Sequence, residues 1–422
     1  MKSDFINELG ILFNQNNSIS DDDYNKLNVK RGLRNKNGTG VLVGLTKIGS
    51  VQGYTVDKKG KKIPEEGKLY YRGIAIDKLI KQFGKEKSFS FEKTMFLLLF
   101  GKVPSNFELK MFISTLKEYR HLPDEFIEDF ILRKPSADIM NQLQRAVLCL
   151  YTLDSNPDDV DLSNLIDQSL NLIAKFPSLL VYCYQACNYK HFNESLIIHN
   201  PVEEYSIAEN ILHMLRIDNK FTPLEAEILD LILVIHAEHG GGNNSTFTSH
   251  VVSSTRTDTY SSISASIGSL KGPMHGGANS MVTQMIEDMK KNTNPYDEEK
   301  LKEYLKGIFE KQLFDKKGRI YGMGHAVYTV SDPRAVILKK RARELAREKD
   351  ALEEFELFSN VEKFTKEIGK ELKGKDFEIC ANVDLYSGFV YKLLNIPPNI
   401  FTPLFALSRI ASWNAHRMEQ IL

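Results

Sequence analysis

Apolar residues recur at three- and four-residue intervals along most of the chain, a spacing that puts one hydrophobic stripe on each of a series of helices. The clearest runs are Phe91 to Phe100, closed by Gly101 as a helix stop, then Ser206 to Leu215, and Leu224 to His236. Pro333 suits the first turn of a helix, where its missing N–H costs nothing, and the segment after it to Lys349 is basic and amphipathic. A last helix is predicted from near Thr402-Pro403 to the end of the sequence. Residues 1 to 30 read as polar and helical, with Ile6, Leu9, Leu12 and Phe13 at helical spacing. The texture changes only between Lys36 and Arg72, where glycines are frequent and Val41, Val43, Val51, Tyr54 and Val56 stand in short runs. That stretch predicts loops with a few short strands. Loops are also predicted at 290–299 and 371–375. The fold class is mainly α.

One stretch admits two readings. Ser249 to Leu270 is rich in serine and threonine, as a low-complexity linker would be. Yet Val251, Val252, Tyr260, Ile263, Ile267 and Leu270 recur near helical spacing, and small residues let helices approach closely. We read it as a tightly packed helix, suited to a subunit interface.

At 422 residues the chain exceeds one simple core, so two domains or one large interleaved one are expected. Lys+Arg and Asp+Glu both total 55, which leaves no net field to favour nucleic acid or an anionic membrane. Apolar runs such as Phe96–Phe100 and Leu231–Ile235 fall far short of a membrane span. Cys183 and Cys187 sit four apart in an apolar stretch with no matching Cys or His pair, and read as buried thiols rather than zinc ligands. Reduced thiols, and an N-terminus resembling neither a signal nor a transit peptide, lead us to expect a cytoplasmic protein.

Three segments bear chemistry. His275 lies in Lys271-Gly-Pro-Met-His-Gly-Gly-Ala-Asn279, His325 in Tyr321-Gly-Met-Gly-His-Ala-Val327, and Asp384 in Asn382-Val-Asp-Leu-Tyr-Ser-Gly388. Two imidazoles and one carboxylate are the parts needed to take a proton from carbon and polarise two carbonyls. Each also has a plain reading: His275 as a surface-turn histidine, Asp384 as a helix N-cap, Asp332-Pro-Arg334 as an ordinary helix start. Were a turn to bring them together, His325 and Arg334 could grip the ketone and carboxylate of a keto acid. His236 and His239 lack the zincin pattern and a third ligand, so no metal is expected there; His239 beside Gly240–Gly242 could instead donate into a cavity. Gly322-x-Gly324 is a poor dinucleotide fingerprint, and no Gly-Lys-[Ser/Thr] occurs.

Taken together and in this order, these segments resemble the citrate synthase family, from about Lys30 to the end of the sequence. Arg31-Gly-Leu-Arg34, Leu69-Tyr-Tyr-Arg-Gly73, His236 to Phe247, and Phe401 to Arg409 with Trp413 and His416 agree. The resemblance implies a helical homodimer with a large domain (1–275 and 386–422) and a small one (276–385) that closes over the substrates. It implies condensation of acetyl-CoA with oxaloacetate and water, with no cofactor. His275, His325 and Asp384 would be catalytic. His239, Arg334 and Arg409 would hold oxaloacetate. CoA would be received by Asn382 and the backbone of Arg319, Ile320, Tyr321, Gly322, Met323 and Gly324. A 2-methylcitrate synthase using propionyl-CoA is the near alternative, since one methylene is worth only ~1–3 kcal/mol in a pocket. A catalytically impaired dimeric binding homologue is the other.

Two departures stand out. Ala381 replaces the family's usual proline. The family also extends past the final helix to an Arg-Pro segment, whose arginine reaches a substrate carboxylate in the other subunit. The sequence stops at Leu422, and Arg417 does not occupy that position. Either the sequence is trimmed or one carboxylate clamp is missing, a contact worth about 1.5–3 kcal/mol.

Overall fold

Helix signals written in the sequence become capped helices in the computed structural model, which describes residues 2–16, 21–26, 33, 40–41, 43–57, 62–83, 89–273 and 275–422. The Ser90–Phe100 helix stops where Gly101 takes φ +82°, a left-handed conformation glycine adopts without strain. Ser206 with Glu209, and Thr222 with Glu225, form reciprocal capping boxes that open the Ile207–Leu215 and Pro223–His236 helices. Asp332 caps the Pro333–Glu348 helix by accepting from Arg334 N. The last helix spans Phe401–Ile421. The expected mainly helical class is what the chain adopts.

The chain divides into two compact units between Val43 and Gly44. The first holds helices Lys2–Asn16 and Asp21–Lys26, as its polar helical pattern predicts; residues 1, 17–20 and 27–30 lie outside the described residues. All that follows concerns the second unit. It opens with an antiparallel sheet in the order β1 (Gly49–Val56), β2 (Lys62–Tyr71), β3 (Ile74–Ala75). β2 is longer than the short strands expected there, and the β1–β2 register is interrupted between Gln52 and Tyr54.

Three expectations need correction. Ser249 to Leu270 is two helices, Asn244–Ser253 and Thr259–Lys271. Arg256, with φ +60°, breaks the first, and Asp258 caps the second by accepting from Ser261 N at 2.7 Å. The expected close packing is present: Ser249, Ser253, Ser262 and Ser266 are all buried, with Ser253 and Ser262 hydroxyls 2.9 Å apart. The loop expected at 290–299 shrinks to 293–297, because the Ala278–Asn292 and Glu298–Phe309 helices run into it. The loop expected from Glu371 starts only at Gly374, after the Leu352–Lys373 helix. Lysines close both extended helices, where positive charge complements the exposed carbonyls.

The final helix runs through the core. Sixteen of its residues are buried, including Trp413 and Arg417. Arg417 donates to Thr259 Oγ1 (3.2 Å), Ser253 Oγ (3.3 Å) and Thr257 O (2.5 Å), tying the serine-rich helix break to this helix. It is a structural strut. Cys183, Cys187 and Cys380 are buried free thiols, as the sequence suggests for the first two. Burial pushes the Cys380 thiol up to about 12. Among the described residues no helix is long and apolar enough to cross a membrane.

Candidate active site

Arg409, Trp413, His416 and Gln420 follow one another at helical spacing, so they share one face of the final helix. Each reaches a different piece of the site. Arg409 Nε donates to His236 O at 2.5 Å. Trp413 Nε1 donates to Ser245 Oγ at 3.3 Å. His416 Nε2 lies 3.1 Å from Glu238 Oε2, both side chains fully buried, and Gln420 Oε1 lies 3.0 Å from His250 Nδ1. Burial alone would raise the Glu238 carboxyl, but His416 and Arg409 outweigh it and hold it down near 2. Glu238 also accepts from Gly240 N, so its side chain bridges the turn that presents His239.

His239, His325, Arg334 and Arg409 converge. The His239 and His325 rings lie 5.0 Å apart edge-on, and Tyr328 stacks on His325 at 4.6 Å. His325 Nδ1 accepts from the backbone N–H of Val327 (3.0 Å) and Tyr328 (3.2 Å), which places the ring proton of the neutral imidazole on Nε2. That Nε2 faces Arg334 Nη2 at 3.5 Å. Two donors cannot bond each other, and held this close their N–H groups can share one acceptor oxygen to the side. Burial works against the Arg334 charge, but bidentate pairing with Asp332 (3.0 and 2.8 Å) overcomes it and holds the guanidinium above its usual range. Burial lowers Arg409 to about 10, with Glu238 opposing. His239 is held well below the usual imidazole range by burial and by Arg334. His239 Nε2 and Arg409 Nη1 are buried without a partner among the described residues. The unpartnered Arg409 nitrogen, with the Arg334 guanidinium and two imidazole rings beside it, makes a receptor for an anion.

His275 follows a tight turn, its N–H donating to Gly272 O at 2.8 Å, three residues before the Ala278–Asn292 helix; the adjacent Met274 lies outside the described residues. Burial, reinforced by Arg409, lowers its imidazole to about 4, so it is neutral at physiological pH. His275 Nε2 lies 3.2 Å from Ser245 Oγ, which also lies 2.8 Å from Asn243 Oδ1. Trp413 can only donate to Ser245, so the serine proton goes to Asn243 or to His275. His275 can donate through Nδ1 only in the second case, with the Asn243 amide turned to offer its nitrogen.

Asp384 is not the helix cap. Asn382 is, accepting from Asp384 N at 3.0 Å, and Asp384 stands in the first turn of the Val383–Leu393 helix. Burial raises its carboxyl to about 6, against the pull of Arg334. Among the described residues no hydrogen bond joins His275 to Asp384; each connects to the anion receptor through an arginine's field.

The glycine loop is laced to the segment before Asp384. Gly324 N donates to Cys380 O (2.7 Å), Asn382 N to Gly322 O (2.9 Å), and Asn382 Nδ2 to Gly324 O (2.8 Å). Gly322 and Gly324 take φ +81° and +83°. Ile320 and Met323 are buried, Tyr321 bonds Asp315 at 2.6 Å, and Arg319 is exposed. His236 Nδ1 lies 3.0 Å from Ile232 O, and among the described residues no group of three or more His, Cys, Asp or Glu stands at metal distance. Sequence reasoning assigned no role to Ser245, Asn243, Tyr328, Asp332 or Glu238. Of these, only Asp332 carried a local signal, as a cap before Pro333.

Comparison with known proteins gives a consistent result. A family model described as "Citrate synthase, C-terminal domain" matches residues 37–422. A citrate synthase of Synechocystis sp. is 34% identical over 359 residues, which cover 84% of this chain and 82% of the relative. 2-Methylcitrate synthase 1 of Corynebacterium glutamicum is 32% identical over 364 residues, covering 85% and 87%. Among solved structures, a citrate synthase of Thermoplasma acidophilum in ternary complex with carboxymethyl coenzyme A and oxaloacetate matches with a TM-score of 0.70 and 27% identity, over 90% of each chain.

Proposed function

The chain belongs to the citrate synthase family, and from that premise we propose that its site condenses acetyl-CoA with oxaloacetate and water to give citrate and CoA. The observation that carries this reading is the pairing of two environments. One is a buried anion receptor of Arg334, Arg409, His239 and His325; the other is a neutral imidazole and a carboxylate of raised pKa.

Oxaloacetate would place its carboxylates on Arg334, Arg409 and His239, with its ketone oxygen on His325 Nε2–H. His275, donating through Nδ1, would polarise the thioester carbonyl of acetyl-CoA. Asp384 would remove a methyl proton, and the enol carbon would attack the ketone carbon. The new alkoxide would take the His325 proton. Water then attacks the citryl thioester carbonyl, the C–S bond breaks, and citrate leaves with CoA. A buried neutral imidazole suits this task, because a hydrogen-bond donor of matched acidity polarises a carbonyl without the desolvation cost of a cation. Fixed donors do here what a metal would do, so the reading calls for no metal and no cofactor. Asn382 and the backbone from Arg319 to Gly324 would receive CoA. We further propose that residues 276–385 form a small domain that closes on the remainder and excludes water until the carbon–carbon bond has formed. A cytoplasmic homodimer fits the reduced thiols and the packed serine-rich helices.

The test is release of CoA thiol with oxaloacetate, run in parallel on acetyl-CoA and propionyl-CoA. Faster turnover of acetyl-CoA supports the proposal. A preference for propionyl-CoA moves the assignment to 2-methylcitrate synthesis, and no release from either overturns it.

A further inference from the structure

The loop that carries His325 and leads into the helix of Arg334 does not stand alone. The β1–β2 hairpin lies against it backbone to backbone, at two glycines whose φ values do not require glycine. A Cβ on Gly53 would stand 2.6 Å from Val327 O and 3.0 Å from Tyr328 Cα. One on Gly67 would sit far inside contact distance of Ser331 O, 2.6 Å from Tyr328 Cδ1 and 3.0 Å from Pro333 Cδ. Gly67 N donates to Ser331 Oγ at 3.1 Å, Glu66 pairs with Ser331 as an isolated parallel bridge, and Tyr328 OH reaches Lys68 O at 3.5 Å. These contacts fall on the residues that fix the site. Val327 and Tyr328 supply the two N–H groups that set the His325 tautomer, Tyr328 stacks on its ring, and Ser331 directly precedes the Asp332 that clamps Arg334. The hairpin lies before residue 276 and the loop after it, so their contact also crosses the proposed domain boundary.

We propose that Gly53, Gly67 and Ser331 are positioning residues for the condensation: the two bare glycine backbones form a strap that holds the 327–333 loop in register, and through it aims His325 and Arg334 at oxaloacetate. This rests on the assignment of oxaloacetate to that receptor. A side chain at either glycine pushes the loop away from the hairpin. The loss then falls on the keto-acid end of the reaction, and acetyl-CoA recognition through 319–324 is untouched. A misplacement of about 1 Å at reacting groups costs on the order of 100-fold.

The experiment measures steady-state kinetics and calorimetric oxaloacetate binding for G53A, G67A and S331A in the full chain. G44A serves as control, since an added Cβ there meets nothing within 4 Å. Oxaloacetate binding to the wild type is measured first; its absence would refute the receptor assignment, a failure distinct from that of the strap. Given wild-type binding, the expected result is a rise in the oxaloacetate KM and a fall in kcat, together on the order of 10- to 100-fold for G67A and smaller for S331A. The acetyl-CoA KM and the melting temperature of S331A stay near wild type. If G67A does not fold, G53A and S331A decide. Unchanged oxaloacetate kinetics in the folded variants, or equal losses for both substrates, would overturn the proposal.

Discussion

The two ends of the site are built on opposite principles. The anion receptor uses charge: Arg334 is locked by Asp332, Arg409 is tied to His236 O, and the buried Glu238 moderates the field from behind. Its donors are desolvated and fixed before any ligand arrives, which is how an electrostatic site avoids reorganisation. The end proposed for the thioester uses burial. Burial holds His275 neutral, and it raises Asp384 to about 6, which makes its carboxylate a stronger base while Arg334 keeps it ionisable; glycine turns and one helix start hold the two in place. A dianion needs a rigid, charged socket, whereas proton abstraction from carbon needs groups whose ionisation is held close to balance.

That contrast can be broken at each end. Asp384→Ala should have the largest effect, lowering kcat about 10²- to 10⁴-fold and abolishing exchange of the thioester methyl protons, with oxaloacetate affinity largely intact. Normal exchange in this variant would remove Asp384 as the base. Arg409→Leu should act in the opposite sense, weakening oxaloacetate binding by about 2–5 kcal/mol in a titration while leaving CoA binding near normal. Ser245→Ala leaves His275 in place but frees its tautomer. A fall in kcat of about 10- to 100-fold, with oxaloacetate KM little changed, is the expected outcome in steady-state assays. The smallest effect is with pH. Asp384 must be ionised to act, and its raised pKa means activity falls as pH drops through about 6, while His275 stays neutral down to about 4. The kcat/KM profile should therefore have its acid limb near 6 and lose it in the Asp384→Ala background.

Much of this was legible in the sequence, and the reason lies in which signals are local. The apolar spacing from Ser206 and from Leu224, the Gly101 stop and the Pro333 start are local signals, so the helices could be read directly. The order of His275, His325 and Asp384 among glycines could be read as well. What could not be read depends on long-range contacts. No spacing joins Trp413 to Ser245, or Glu238 to His416, across more than 160 residues of chain. The helix break at Arg256 was missed because the apolar positions on its two sides, Val251 and Val252 before and Tyr260 and Ile263 after, were joined across the wholly polar 253–259, and only the Asp258 cap marks the restart. Asp384 was ambiguous because caps and bases share a residue type; Asn382 taking the cap leaves the carboxylate free for chemistry.

The measurement that tests the account most directly is CoA thiol release from acetyl-CoA by the wild-type chain, with and without oxaloacetate. Release that requires oxaloacetate, with citrate formed in equal amount, is the predicted result. Release at the same rate without oxaloacetate, or none in its presence, would contradict the assignment of the two ends to one condensation.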